Sequence, residues 1–205
     1  MDTKFVPIII LAGPTASGKS ALGIAIAEKI GGMIINADSM QVYRDLRVIT
    51  ARPTDEEMAQ VPHRLYGVLD GAAHGTAALW REMALEAIAE AASSGRIPIL
   101  LGGTGMYLRS LLEGLVEIPP IPDEARAEAR KLLETLGPAG LHKALAERDP
   151  QSAARLKPGD SQRLVRAYEV VAGTGRSLLD WQKEAAAPSL PNPVFKLLLQ
   201  PLVEN

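Results

Sequence analysis

The chain has 205 residues, 47% of them hydrophobic and 22% charged, with 22 Lys+Arg against 24 Asp+Glu. The apolar share excludes wholesale disorder, and a formal net charge of −2 excludes a protein that coats nucleic acid or anionic membrane by bulk charge. There is no cysteine, so disulfides, thiolate metal sites and thiol nucleophiles are excluded together.

The first apolar run, Phe5 to Ala12, is far shorter than the ~20 residues of a membrane span, and it ends in a glycine loop rather than a cleavage site. These features predict a soluble, cytoplasmic monomer with one main domain and room for a small appendage. Four more short apolar runs follow: Met33–Ala37, Arg64–Leu69, Ile97–Leu101 and Val194–Leu199. Most are continuously apolar, the pattern of parallel strands covered on both faces. Between them lie helical patterns. Lys19 to Ile30 is rich in Ala, Ile and Leu and stops at Gly31-Gly32. Thr76 can cap a helix running to Ser94 and stopped by Gly95, with Trp80, Ala84, Ala87, Ile88 and Ala91 spaced along one apolar stripe. Strands alternating with helices predict βαβ units and a parallel sheet.

That rhythm breaks between 115 and 187. A Pro-rich hinge, Ile118 to Pro122, leads into three helical patterns, Asp123–Leu136, Ala139–Glu147 and Ser161–Val171, and Pro188, Pro191 and Pro193 close the stretch. The expected architecture is α/β: with G-x-x-x-x-G-K-[ST] at Gly13–Ser20, a P-loop NTPase-like parallel sheet with flanking helices, formed by 1–114 and 188–205, and a helical insertion over 115–187 between the fourth and fifth strands. The insertion is neutral as a whole, but Arg155 to Arg176 holds five basic and two acidic residues.

The strongest motif is Gly13-Pro14-Thr15-Ala16-Ser17-Gly18-Lys19-Ser20, which fits G-x-x-x-x-G-K-[ST] at every fixed position. Two glycines let the backbone turn tightly, so that successive N–H groups point at one anionic group. The following helix aims the positive end of its dipole there. Lys19 adds a charge, and the Ser20 hydroxyl can ligate Mg²⁺. ATP, GTP or a plain diphosphate would all fit this cradle. Ligands of open parallel sheets sit beyond the carboxyl ends of the strands, which places Asp38, at the end of the second run, beside it. A carboxylate there can hold Mg²⁺ through water, accept a proton from an acceptor nucleophile, or simply cap a turn. Gly102-Gly103-Thr104-Gly105, after the fourth run, is either a ligand approach or a tight strand-to-helix turn. His63, His74 and His142 have no metal spacing, and Trp80 reads as core.

Further strings share one character: Asp38-Ser39-Met40-Gln41-Val42-Tyr43, Thr50-Ala51-Arg52-Pro53-Thr54, Val61-Pro62-His63-Arg64-Leu65, Gly102 to Leu108, Gln162-Arg163-Leu164-Val165-Arg166-Ala167 and Thr174-Gly175-Arg176. Together with the cradle, and in this order, they resemble the bacterial tRNA dimethylallyltransferases, also called tRNA isopentenyltransferases, from about Pro7 to Leu199. The resemblance implies transfer of the dimethylallyl group of dimethylallyl diphosphate to N6 of the adenosine 3′ of the anticodon, in tRNAs reading codons that begin with U. It implies that Gly13 to Ser20 hold the diphosphate with Mg²⁺ on Ser20, and that Asp38 is the base. Asp38, Ser39, Met40, Gln41, Thr104, Arg126, Gln162, Arg163, Leu164, Val165 and Arg166 would contact the tRNA anticodon stem-loop.

Three features depart from the family pattern. Ile49 stands where a glycine is usual, and Lys157-Pro158-Gly159-Asp160 replaces the usual H-P-N-D. Family members also continue past the fifth strand with a long helical segment, whereas this chain stops at Leu202-Val203-Glu204-Asn205; the expectation is a shortened form with reduced or no activity. The same cradle would also serve a small-molecule kinase, and a chain without the final segment could be a binding-only fragment.

Overall fold

The computed structural model describes residues 6–116, 118–184, 190 and 192–200. Five parallel strands, β1 (Ile8–Ala12), β2 (Gly32–Asn36), β3 (His63–Arg64), β4 (Ile97–Leu101) and β5 (Val194–Leu198), form one sheet in the order β3-β2-β4-β1-β5. The three central strands explain their unbroken apolar runs. Ile8, Ile10, Ile35, Ala37 and Leu100 face one side, where they meet Trp80, Ala84, Ala87 and Ile88 of α3 (Ala77–Ser93) and Tyr107 and Leu111 of α4 (Gly105–Glu113). Leu11, Ile34, Ile99 and Leu101 face the other, against Ile24 and Ala27 of α1 (Lys19–Ile30) and Val61, just past α2 (Asp55–Gln60). With side chains alternating along a strand, both sets must be apolar when both faces are covered.

Helices α1 and α3 lie where the sequence pattern places them. Gly31 closes α1 in the left-handed conformation, and Thr76 caps α3 by accepting from the Leu79 amide at 3.1 Å. Trp80 is core: it is 1% exposed, stacks on Tyr107 with centroids 4.5 Å apart, and donates from Nε1 to the Asn36 carbonyl at 2.9 Å.

Two strand expectations need correction. The third run, Arg64–Leu69, contributes only its first residue to β3. Leu65 (φ 66°) and Gly67 (φ 61°) turn left-handed, and the chain then bonds to the 41–43 segment instead of β2, through Gly67 N to Gln41 O and Leu69 N to Val42 O, both 2.9 Å. The fifth run is an edge strand, not a covered one: Phe195, Leu197 and Leu198 are 59%, 46% and 75% exposed. Two helices of this unit escape the pattern reading. In α2, Thr54 and Glu57 form a reciprocal capping box; α4 follows the Gly-rich turn at Thr104.

Contacts divide the chain into two units, 1–115 with 187–205, and 116–186. The second is helical: α5 (Asp123–Arg148), α6 (Pro150–Arg155), α7 (Ser161–Thr174) and α8 (Leu178–Gln182). The two patterns expected over 123–147 form α5, which is broken by non-helical Gly137 (φ 67°) before Pro138. Helix α7 runs three residues beyond its pattern, to a left-handed Gly175. The short α6 and α8 are capped by Asp149 and Ser177. The core gathers Ala129, Leu141, Leu145, Leu164, Ala167 and Tyr168, and the Tyr168 hydroxyl donates to Glu128 at 2.7 Å. Pro188, Pro191 and Leu202-Val203-Glu204-Asn205 lie outside the described residues. Among those described, no helix is long and apolar enough to cross a membrane.

Candidate active site

The Gly13–Ser20 loop joins β1 to α1. Gly13 is fixed by a close approach, since a Cβ on it would stand 2.5 Å from the Leu199 carbonyl oxygen. Gly18, left-handed at φ 78°, is the N-cap of α1 and offers no side-chain acceptor, so the first amides of the helix are open to an outside anion. Lys19 folds back over the loop, donating to the Pro14 carbonyl and, at 3.4 Å, to Ser17 Oγ. Burial lowers its pKa, and the charge of Asp38 works in the opposite direction. The Ser20 hydroxyl forms no hydrogen bond among the described residues.

Asp38 therefore lies within electrostatic reach of the cradle. It also caps a turn, so both readings of this residue have a physical basis. Its Oδ1 accepts from the Met40 amide at 2.8 Å and the Gln41 amide at 3.4 Å, while no described residue donates to Oδ2. Burial raises the pKa of both Tyr66 and Tyr107, and the charge of Asp38 adds to each. The carboxylate is thus the common electrostatic neighbour of Lys19, Tyr66 and Tyr107.

The segment after Asp38 is tied to β4. Thr104 Oγ1 accepts from the Ser39 amide at 2.9 Å and contacts Ser39 Oγ at 3.3 Å, and the Thr104 amide donates to Ala37 O at 3.2 Å. Gly102 makes this possible, because a Cβ there would be 2.3 Å from the Ala37 carbonyl carbon. The Gly102–Gly105 string is thus a tight turn that packs the ends of β2 and β4 together. Met40 is exposed, whereas Gln41 turns its amide inward to the Thr50 carbonyl at 2.8 Å.

The remaining candidates belong to the helical unit. Arg126 is exposed in the first turn of α5. Gln162, Val165 and Arg166 of α7 border a shallow surface depression with Leu133, Ser161 and Glu169. Arg163 pairs with Asp160 at 3.3 Å and Arg166 with Glu169 at 3.9 Å. Leu164 differs from its neighbours: it is fully buried in the helical core, so its side chain anchors α7 and cannot be a surface contact. Arg176 is likewise engaged, held by Glu184 and the Asp180 carbonyl and lying over the Trp181 ring at 4.4 Å.

His63 donates from Nδ1 to the Val61 carbonyl at 2.7 Å, and His142 bonds the carbonyls of Ala153 and Leu156, so both are structural. Among the described residues no cluster of three or more His, Cys, Asp or Glu could hold a metal ion. Sequence reasoning missed Asn36, Tyr66 and Tyr107. The available signal for Asn36 was a polar residue inside the apolar run MIINA, since a buried amide must be hydrogen-bonded.

The family model described as IPP transferase matches residues 41–204. The tRNA dimethylallyltransferase of Rhodospirillum rubrum is 56% identical over 196 residues, covering 95% of this chain and 60% of the relative; that of Granulibacter bethesdensis is 57% identical over 180 residues, covering 88% and 56%. The chain thus spans about 60% of the length of the curated relatives it matches. A crystallised eukaryotic dimethylallyltransferase acting on tRNA superposes with a TM-score of 0.78 at 30% identity, over 94% of this chain and 48% of that one. The full-length tRNA isopentenylpyrophosphate transferase of Bacillus halodurans gives 0.57 at 31% identity, over 94% and 60%. With the P-loop sheet, the helical insertion and a family match that runs from Gln41 through β5, this chain belongs to the IPP transferase family.

Proposed function

We propose that this chain carries the donor cradle and the acceptor-activating carboxylate of a tRNA dimethylallyltransferase. The observation that carries the reading is Asp38: its turn fixes one carboxylate oxygen, leaves the other free, and keeps it within electrostatic reach of Lys19. The diphosphate of dimethylallyl diphosphate would lie on the amides of the Gly13–Ser20 loop and the start of α1, with Lys19 leaving the Pro14 carbonyl to meet it. The acceptor nitrogen, N6 of the adenosine next to the anticodon, attacks the allylic C1. The C1–O bond breaks, pyrophosphate leaves onto the cradle, and Asp38 takes the N6 proton through its free oxygen.

The donor set fits Mg²⁺, which takes one or two protein oxygens and completes its shell with phosphate oxygens and water. Ser20, with an uncommitted hydroxyl, is the residue to hold it, and Asp38 is placed to add a contact through water. Bound there, the ion would neutralise charge on the departing pyrophosphate.

A base inside a stacked loop cannot reach a carboxylate at a strand end, so the target adenosine must be turned out. Arg126, the exposed side chains Gln162, Arg163 and Arg166, and the half-buried Val165 beside them are the surface proposed to grip the anticodon stem-loop.

The test is transfer of isotopically labelled dimethylallyl to tRNA, read as modified adenosine after nuclease digestion. Asp38→Ala is expected to abolish transfer while leaving pyrophosphate binding intact. Transfer unchanged by Asp38→Ala would overturn the reading. ATP-dependent phosphorylation of a small acceptor, with no affinity for dimethylallyl diphosphate, would favour a kinase. Binding of donor and tRNA without turnover would mark the chain as the binding part of a longer enzyme.

A further inference from the structure

Asn36 ends β2 and is fully buried. Both ends of its side-chain amide are hydrogen-bonded, to Asp38 and to the loop after β3. Oδ1 accepts from the Asp38 amide at 2.9 Å; Nδ2 donates to the Asp38 carbonyl at 3.0 Å and to the Leu65 carbonyl at 3.1 Å. Its own carbonyl takes the Trp80 indole N–H at 2.9 Å. One side chain therefore grips both backbone polar groups of Asp38 and ties them to the loop after β3, where Leu65 holds a left-handed φ of 66°.

We propose that Asn36 is the positioning residue for the acceptor carboxylate. With Asp38 fixed at its amide and carbonyl by Asn36, and at Oδ1 by the Met40 and Gln41 amides, Oδ2 is the polar atom of the residue that no described residue fixes. The clamp decides which oxygen is presented to the acceptor nitrogen and removes the backbone freedom that would let the carboxylate turn away. Only a neutral amide can do this. Two carbonyl oxygens need donors and one amide needs an acceptor, so an ionised Asp of the same shape would set an oxygen against two carbonyls. This role rests on the reading of Asp38 as the proton acceptor.

The test compares the wild-type chain with Asn36→Ala and Asn36→Asp. Amide hydrogen exchange is expected to accelerate about 10-fold or more at Asp38, Met40 and Gln41, with the α1 and β4 amides unchanged. Pyrophosphate affinity, measured by calorimetry, stays within about twofold and shows that the variants fold, because the cradle does not depend on the clamp. In the transfer assay kcat falls by about 10- to 100-fold while KM for dimethylallyl diphosphate stays within about twofold. Unchanged exchange at the three amides overturns the proposal. So does acceleration spread evenly over α1 and β4, or an unchanged kcat. A wild-type chain that shows no transfer counts against the proposed reaction instead, and the exchange measurement then decides the clamp by itself.

Discussion

Replacing Trp80 with Phe tests how the end of β2 is held. Trp80 is 1% exposed and does two things: its ring stacks on Tyr107 at an interplanar angle of 12°, and its Nε1 serves the Asn36 carbonyl. Phenylalanine keeps an aromatic face for Tyr107 but leaves a buried carbonyl without its donor, which costs about 1–3 kcal/mol. The smaller ring also opens a void beside Ala84 and Ile88, adding about 1–2 kcal/mol at the usual cost of removed core volume. The expected total is about 2–5 kcal/mol, against about 3–5 kcal/mol or more for Trp80→Ala, which also loses the stacking. The assay is equilibrium urea unfolding. The two tryptophans fall in different units, Trp80 in the sheet unit and Trp181 in the helical unit, so the remaining indole of the variant reports on the helical unit while amide exchange in α1 and β4 follows the sheet. A sheet stability within about 0.5 kcal/mol of wild type would refute the reasoning, because it would mean that the indole N–H was not the group satisfying Asn36.

Lys19→Ala should weaken pyrophosphate binding by about 10-fold or more in calorimetry, because the loop then keeps its amides but loses its one mobile cation. Acidification should destabilise the sheet unit through His63. Burial lowers its pKa below the ordinary value of 6.5, and its hydrogen bond to the Val61 carbonyl works in the opposite direction. A depressed histidine binds fewer protons folded than unfolded, so its contribution is intact above the unfolded value and is lost as pH falls from there toward the folded one. Thermal midpoints measured from pH 7 to 5 should fall less steeply in His63→Gln than in wild type.

Much of the sheet unit was legible in the sequence because local and long-range signals agree there. Lys19–Ile30 and Ala77–Ser93 combine an apolar stripe with a stop signal, and β1, β2 and β4 are apolar on both faces because both faces are covered. The third strand misled for a physical reason. Arg64–Leu69 has strand composition, but Leu65 turns left-handed, its carbonyl takes a hydrogen bond from Asn36, and the chain after it pairs with residues 41–43. No local pattern announces a bond made 29 residues away. The short helices were missed at their caps, although Thr54 and Glu57 stand at capping-box spacing. At the site, the cradle could be read from spacing alone, because the chemistry is carried by the backbone of a contiguous loop. The setting of Asp38 could not, since Asn36, Thr104 and Lys19 reach it from three different elements.

The charge of the insertion shows the same limit and yields a further prediction. By sequence, Arg155 to Arg176 is a basic stretch. In the structure three of its five cations are engaged: Arg163 by Asp160, Arg166 by Glu169, and Arg176 by Glu184 and Trp181. These engagements differ in strength. Arg163 and its partner at the α7 N-cap face solvent, a class of pair worth about 0–1 kcal/mol, and Arg166, itself half exposed, reaches the more buried Glu169 only at 3.9 Å, so a phosphate can take either arginine more readily than it can Arg176. Arg176 is bound three ways, by a carboxylate, by the Asp180 carbonyl and by an indole face, so it stays with α8. If tRNA is the partner and α7 meets its backbone, Arg163→Ala and Arg166→Ala should each lower the slope of log K against log salt by about 0.7–0.9, with folding stability nearly unchanged. Arg176→Ala should do the reverse, leaving the slope alone and loosening α8. Filter binding over a salt series, beside urea unfolding, separates the two. A slope that drops for Arg176→Ala and not for the α7 arginines would show that the nucleic-acid surface lies elsewhere on this unit.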